Sequence, residues 1–183
     1  MIGLFGGTFD PIHRGHLNLA NEVLKKLCLE KIIFIPVGVP AHRKPPVATP
    51  KQRFEMIKLA ISDQEKFAVD DCEIKRDGPS YTIDTLRHFK ALYPHQTLYF
   101  IMGADAFEHF TQWHEWEDIL LLCRVVVVNR PGHLDTKQSS NPSIQYISIS
   151  PCEISSTAIR AGALSDETLT PNVLEYIKQQ KVY

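Results

Sequence analysis

Residues 1–16 read MIGLFGGTFDPIHRGH. An apolar run gives way at Gly6 and Gly7 to a proline and two histidines three apart, and from Leu17 onward the apolar residues step by three and four. A period that switches from strand-like to helical across glycines marks a strand feeding a helix. Gly6 and Gly7 are expected just after the strand, where the missing side chains let backbone N–H groups approach an anion. The helix expected near His16 adds its positive end. His13 and His16 can share one space if the helix starts between them. Neither the dinucleotide G-x-G-x-x-G nor the G-x-x-x-x-G-K-[ST] pattern occurs, so imidazole donors are the substitute for holding phosphates. No nearby cysteine or third histidine completes a metal set around the pair.

Outward from this stretch the same alternation repeats. KIIFIPVG, FAVDDCEI, TLYFIM (closed by Gly103), CRVVVVN and IQYISI read as further strands. KIIFIPVG is β-branched and apolar on both faces, as parallel strands covered by helices are, whereas FAVDDCEI carries Asp70 and Asp71. Helical patterns separate them. Leu17, Ala20, Leu24 and Leu27 share one face, as do Phe54, Ile57 and Ile61 behind a Thr49-Pro50 start with Gln52 in capping-box position. Ile83, Leu86, Lys90 and Tyr93 precede the stop at Pro94, and Trp113 to Cys123 reads as helix. Ser155 or Ser156 caps a helix through Ile159 to Leu164, and Thr170-Pro171 opens one through Leu174 and Ile177. Strand–helix alternation of this kind predicts an α/β protein: one doubly wound, Rossmann-like domain over residues 1–183 with a mainly parallel sheet. The stretch from Pro131 to Pro142 reads as an exposed loop within it.

Composition excludes several classes. The chain has 183 residues, 44% hydrophobic and 22% charged, with a formal net charge of −1. That balance fits a globular protein, carries no basic field for nucleic acid, and requires any anion site to be built locally. No run is long enough for a membrane span and the start lacks a signal peptide's basic region, so a cytoplasmic location is expected. The four cysteines lie far apart without a C-x-x-C pair. They read as reduced thiols, with Cys28 and Cys123 in the core, and carry no metal-ligand spacing.

GTFDPIHRGH resembles the T/H-x-G-H signature of the nucleotidyltransferase superfamily, whose H-x-G-H element binds nucleotide phosphates. ISSTAIR (Ile154–Arg160) resembles the second signature, I-S-S-T-x-I-R. Between them IPVGVPAHRKPP, RFEMIKLAI, SYTIDTL, MGADAFEHFTQWHEW and VVVVNRPG are similar, in order, to the blocks of one branch, the nicotinate-nucleotide adenylyltransferases. Two positions depart from the branch pattern: its H-K pair is spread into His42-Arg43-Lys44, and His114 stands where some relatives carry tyrosine.

The resemblance implies a direct adenylyl transfer from ATP to nicotinate mononucleotide, giving nicotinate adenine dinucleotide and pyrophosphate. It places His13 and His16 in the catalytic role and ATP against Gly6, Gly7, Thr8, Phe9, His16, Gly103, Asp105, Ile154, Ser155, Ser156, Thr157 and Arg160. It places nicotinate mononucleotide against His42, Arg43, Lys44, Tyr81, Thr82, Thr85, Trp113, His114 and Arg130. Trp113 is the expected platform for the pyridine ring and Thr85 the expected contact for its carboxylate, whereas Trp116 reads as core. Mg2+ is expected to travel with ATP, since no acidic cage is visible. The partners implied are those two small molecules, with no nucleic acid and no membrane, and a homo-oligomer is left open. The alternatives are a sibling enzyme acting on nicotinamide mononucleotide or phosphopantetheine, and a non-catalytic nucleotide sensor of the same fold.

Overall fold

The computed structural model describes residues 1–41, 45–129, 140–150, 152 and 154–183. Six strands form one parallel sheet: β1 (Ile2–Gly7), β2 (Lys31–Pro36), β4 (Phe67–Val69), β6 (Leu98–Gly103), β7 (Arg124–Asn129) and β8 (Ile144–Ser148), in the order β4-β2-β1-β6-β7-β8. Every neighbouring pair is parallel, with Phe5 opposite both Phe34 and Ile101. The order reverses direction between β1 and β6, and this is where open α/β sheets open a crevice beyond the strand ends. A two-residue ladder, β3 (Val39–Pro40) with β5 (Pro79–Ser80), stands apart. Short proline-containing pieces carry no period that could announce it.

Successive side chains of a strand point to opposite faces, and the core divides accordingly. Phe5, Ile32, Phe34, Tyr99, Ile101, Val126 and Val128 face one apolar layer. It is completed by α1 (Arg14–Lys26), α2 (Pro50–Ala60) and α8 (Pro171–Gln180). Leu4, Ile33, Ile35, Phe100, Met102, Val125 and Val127 face the other layer, covered by α4 (Thr82–Leu92) and α6 (Trp116–Leu122). Strands apolar on both faces thus have a helical cover for each. Two short helices, α3 (Cys72–Lys75) and α5 (Ala104–Phe107), follow β4 and β6, and α7 (Ser156–Arg160) lies between β8 and α8. Among the described residues no helix is long and apolar enough to cross a membrane.

Several expectations need correction. The strand expected over FAVDDCEI ends at Val69, because the Asp70 carboxylate accepts the Cys72 N–H at 2.8 Å and turns the chain into α3. The helix expected from Trp113 starts at Trp116; a 3-10 turn, Phe110–Gln112, precedes it, and Glu115 at φ +50° breaks the path between them. α7 ends at Arg160 rather than Leu164, with Gly162 at φ +110° just beyond. The helix α1 starts at Arg14, and Gly6 and Gly7 belong to β1 itself. Cys28 is exposed, at φ +49°, whereas Cys123 is buried as expected and its thiol is pushed up to about 12 by burial. The expected loop from Pro131 to Pro142 lies largely outside the described residues.

Ile57 and Ile61 of the expected face of α2 are buried, but at the helix start Arg53, at 0% exposure, takes the buried place expected of Phe54. The Thr49–Gln52 capping box is present and sets the helix start. Arg53 donates to the carbonyls of Ala48 (3.3 Å), Thr8 (2.8 Å) and Val37 (2.6 Å), tying the exits of β1 and β2 to the start of α2. Burial lowers its pKa, opposed by the carboxylates of Asp10 and Glu73. Arg53→Met, which fills the volume but supplies no donor, is expected to lower the free energy of unfolding by about 3–5 kcal/mol, measured by urea titration.

Candidate active site

β1 ends in glycine because Phe9 needs the room. At φ +50° the Phe9 backbone is left-handed, and its ring folds over Gly7, where an added Cβ would lie 2.8 Å from a ring carbon. Phe9 is 2% exposed and meets Phe5, Phe34 and the edge of His16 at centroid distances of 5.4, 5.7 and 5.1 Å. A ring so enclosed supports the His16 imidazole from beneath. A strained, buried aromatic directly before a reactive group is where fixed geometry is worth its conformational cost.

His13 is the N-cap residue of α1 and 5% exposed, and its ring stacks on His16 at 3.7 Å and 25°. The His13 backbone N–H donates to Nδ1 of His16 at 3.2 Å. An imidazole that accepts at Nδ1 carries its neutral-state proton on Nε2, so His16 presents Nε2–H as a donor. Gly15 between them makes the stack possible: an added Cβ would sit 2.9 Å from His13 Nδ1 and 3.0 Å from Cys152 Sγ. The resemblance singled out the histidines; the glycine's reason appears only in three dimensions.

The late helix reaches this same turn. Ser155 caps α7 by accepting from the Ala158 N–H at 3.2 Å, and the Ser156 hydroxyl donates to the Pro11 carbonyl at 3.1 Å. Arg160 donates to the Asp10 carbonyl at 2.7 Å and to Thr157 Oγ1 at 3.2 Å. A cavity of about 30 Å3 separates His13, Gly15 and His16 from Ile149, Ser150, Cys152 and Ile154. Asp10, 5% exposed, gathers four stretches of chain. Its carboxylate accepts from the Val47 and Ala48 N–H groups (2.8 and 2.9 Å) and the Tyr183 hydroxyl (2.8 Å), with Arg160 Nη1 3.8 Å away. Burial and the Asp10 charge push the Tyr183 hydroxyl far up, so it stays protonated and donates.

Across the switch point the register that sets Phe5 opposite Ile101 brings the exits of β1 and β6 side by side. Gly103 closes β6 with the Asp105 carboxylate folded toward it, close enough that an added Cβ would lie 2.5 Å from Oδ1. On the next flank Tyr81 is the N-cap residue of α4, Thr82 opens that helix, and the rings of Tyr81 and His114 lie 4.6 Å apart. Trp113 is partly buried against Phe100 and Phe110 (6.1 and 5.7 Å), and Trp116 packs on Phe110 at 6.0 Å in the same layer. Thr85 is 1% exposed and its hydroxyl donates to Glu73 at 2.7 Å, with Arg76 at 3.4 Å. Burial raises the Glu73 carboxyl, opposed by Thr85 and Arg76. Gly38 lets the chain cross α3: an added Cβ would lie 2.1 Å from the Glu73 carbonyl oxygen. His42, Arg43, Lys44 and Arg130 lie outside the described residues.

Asp10, Gly15, Arg53, Glu73 and Tyr183 are the supporting residues that sequence reading passed over. Asp10 stood inside the quoted motif, and Arg53 lies one turn ahead of Ile57 on the same buried face. Nothing local marks Tyr183.

A parallel sheet with its glycine-terminated strands at the switch point and a histidine pair at the first helix start defines a nucleotidyltransferase. The chain belongs to the cytidylyltransferase-like family, whose model matches residues 4–162. Relatives matching along the full length narrow the class to nicotinate-nucleotide adenylyltransferases. A protein of Coxiella burnetii (strain Dugway 5J108-111) named "Probable nicotinate-nucleotide adenylyltransferase" is 41% identical over 210 residues, covering 100% of this chain and 98% of that protein. One of the same name from Shewanella sp. (strain MR-7) is 36% identical over 208 residues, with the same coverage. The fold is shared with Plasmodium falciparum nicotinic acid mononucleotide adenylyltransferase complexed with NaAD, at a TM-score of 0.79 and 22% identity over 98% of this chain and 95% of that one.

Gly15→Ala is expected to leave the fold intact while displacing the His13 ring, lowering kcat/KM on the order of 10²-fold, the scale for a misplacement of about 1 Å. Circular dichroism and steady-state kinetics on the same preparation check both halves. Tyr183→Phe keeps the ring and removes one bond to a buried carboxylate. It is expected to lower the free energy of unfolding by about 1.5–3 kcal/mol in urea titration.

Proposed function

We propose that the chain transfers the adenylyl group of ATP to nicotinate mononucleotide, releasing pyrophosphate, with the histidine pair and the α7 cap gripping one triphosphate between them. The observation that carries this reading is the contact between the two signatures, Ser156 on the Pro11 carbonyl and Arg160 on the Asp10 carbonyl. An oxygen of the mononucleotide phosphate attacks the α-phosphorus, the new P–O bond forms, and the bond to the β-phosphate oxygen breaks. The attacking phosphate is already anionic near neutral pH, so the protein supplies position and charge stabilisation rather than a nucleophile or a base.

His16 Nε2–H is assigned to the α-phosphate oxygen on which charge grows, with His13 stacked beside it on the attacking or bridging phosphate. Gly6, Gly7 and Thr8 line the strand exit. Ser155 and Thr157 offer hydroxyl groups to the β- and γ-phosphates and Ser156 its backbone N–H, since its hydroxyl is spent on the Pro11 carbonyl, and Ile154 packs at the edge of the apolar layer behind them. Arg160 reaches the phosphates while its other nitrogens hold Asp10 and Thr157. Gly103 and Asp105 are placed for the ribose and adenine. Magnesium enters bound to ATP, its ligands the phosphate oxygens and water.

For the pyridine side, the Thr85 hydroxyl is committed to Glu73, so the carboxylate is assigned to the free N–H groups of the first turn of α4, beginning at Thr82. Tyr81, Trp113 and His114 frame the ring, and the cationic residues His42, Arg43, Lys44 and Arg130 are kept for the phosphates. The working unit is the whole of residues 1–183, acting in the cytoplasm.

The test is a pyrophosphate-release assay with ATP and Mg2+ on nicotinate mononucleotide, its amide and phosphopantetheine in parallel. Turnover is expected with the first and a large preference over the other two; preference for the amide overturns the substrate, and no release with any overturns catalysis. His16→Ala is expected to lose on the order of 10²-fold or more in kcat with the fold retained, the scale for a transition-state donor.

A further inference from the structure

Asp70, Cys72 and His88 belong to different elements: the exit of β4, the start of α3 and the second turn of α4. The fold brings one ligand atom from each within 4.8 Å of the others. Asp70 and Cys72 are partly buried and His88 is exposed, so the cluster opens to solvent on one side. It lies outside the phosphate site described above, and the spacing of the cysteines gave no hint of it.

We propose that Asp70, Cys72 and His88 form a binding site for a thiophilic divalent cation of the zinc class, which clamps α3 to α4. One sulfur, one imidazole nitrogen and one carboxylate oxygen suit a borderline-soft cation, and hard Mg2+ prefers six oxygens. Three protein ligands leave a fourth tetrahedral position for water on the exposed side, an exchangeable site rather than a closed structural one. The carboxylate is already oriented, since it accepts the Cys72 N–H at 2.8 Å, and the His88 ring is set edge-on to Phe89 at 5.2 Å. Fixed outer contacts of this kind hold ligands in place for the ion. Asp71 and Glu73 flank the thiol on either side in sequence, and Asp71 is partnered by Lys75 at 2.9 Å. Binding replaces the thiol proton: the S–H bond breaks, the sulfur keeps the pair and coordinates the cation, and the proton passes to solvent.

The full-length protein, stripped with a chelator, is titrated with Co2+ and with Zn2+. Native protein is expected to show a thiolate-to-cobalt charge-transfer band. Cys72→Ser is expected to abolish it, and His88→Ala and Asp70→Asn to weaken Zn2+ binding about tenfold or more in competition with a chromophoric chelator. His88 is exposed, so its replacement leaves the fold intact and keeps the test open if Cys72→Ser is poorly folded. Cys28→Ser and Cys152→Ser are expected to retain the band, and pyrophosphate release by metal-free His88→Ala to match native. A band that survives Cys72→Ser, native Zn2+ affinity in His88→Ala, or loss of the band in Cys152→Ser, which would place the ion at the histidine pair, overturns the proposal. None of the metal readouts needs either substrate, so their failure is separable from failure of the adenylyl-transfer reading.

Discussion

The buried carboxylate of Asp10 is the constraint on which the site depends. A charge at 5% exposure is costly unless it is met by donors, and the cost is recovered here only when distant stretches of chain come to it. The Val47 and Ala48 N–H groups bring in the segment ahead of α2, and the Tyr183 hydroxyl brings in the residues beyond α8. Arg160 adds the late helix through the Asp10 carbonyl. A parallel sheet by itself places the exits of β1 and β6 side by side but leaves their loops free. Asp10 turns that proximity into a fixed wall, and Arg53 does the same from below through the carbonyls of Thr8, Val37 and Ala48.

How far the fold could be read from sequence follows from which interactions are local. The six strands of the main sheet and the long helices announce themselves by period, because side chains alternate between two apolar layers in strands and recur every three to four residues in helices. The Thr49–Gln52 box was legible because a cap is made within four residues. The errors are of another kind. FAVDDCEI has strand composition, yet one bond from Asp70 to the Cys72 N–H redirects it. Ile57 and Ile61 are buried as their period implies, but Arg53 displaces Phe54, because an arginine with three carbonyl partners outside its own helix can be buried where an isolated charge could not. The histidine pair was legible and its setting was not, since Phe9 and Gly15 act through ring contacts and a missing Cβ.

The pyridine flank shows what a residue's burial does to an inherited role. Thr85 has the right position in SYTIDTL, but its hydroxyl faces inward to Glu73, which Arg76 also approaches. The bond ties α4 to α3 through the threonine, and in the proposed reading the helix start offers its N–H groups to the ligand instead. Trp113 likewise spends part of its surface on Phe100 and Phe110. Contacts of this kind restrict the ring, and in the proposed reading a restricted platform loses little entropy when a second ring meets it.

A chain of net charge −1 that grips a triphosphate has to do so with aimed dipoles more than with a field. Lysines crowded around four phosphate charges would raise affinity for substrate and product alike, and uniform binding does not lower the barrier. An imidazole whose Nδ1 accepts the His13 N–H is a different tool. In the proposed reading its Nε2–H is a directed donor whose interaction strengthens as charge accumulates on one oxygen during transfer. The stack with His13, the edge of Phe9 beneath and the absent Cβ of Gly15 all restrict the same ring, so little reorganisation remains to be done when the charge develops. The cations then serve at the periphery: Arg160 divides its guanidinium between Asp10, Thr157 and the open side. That division lets one arginine hold the wall together and, in the proposed reading, still face a departing pyrophosphate.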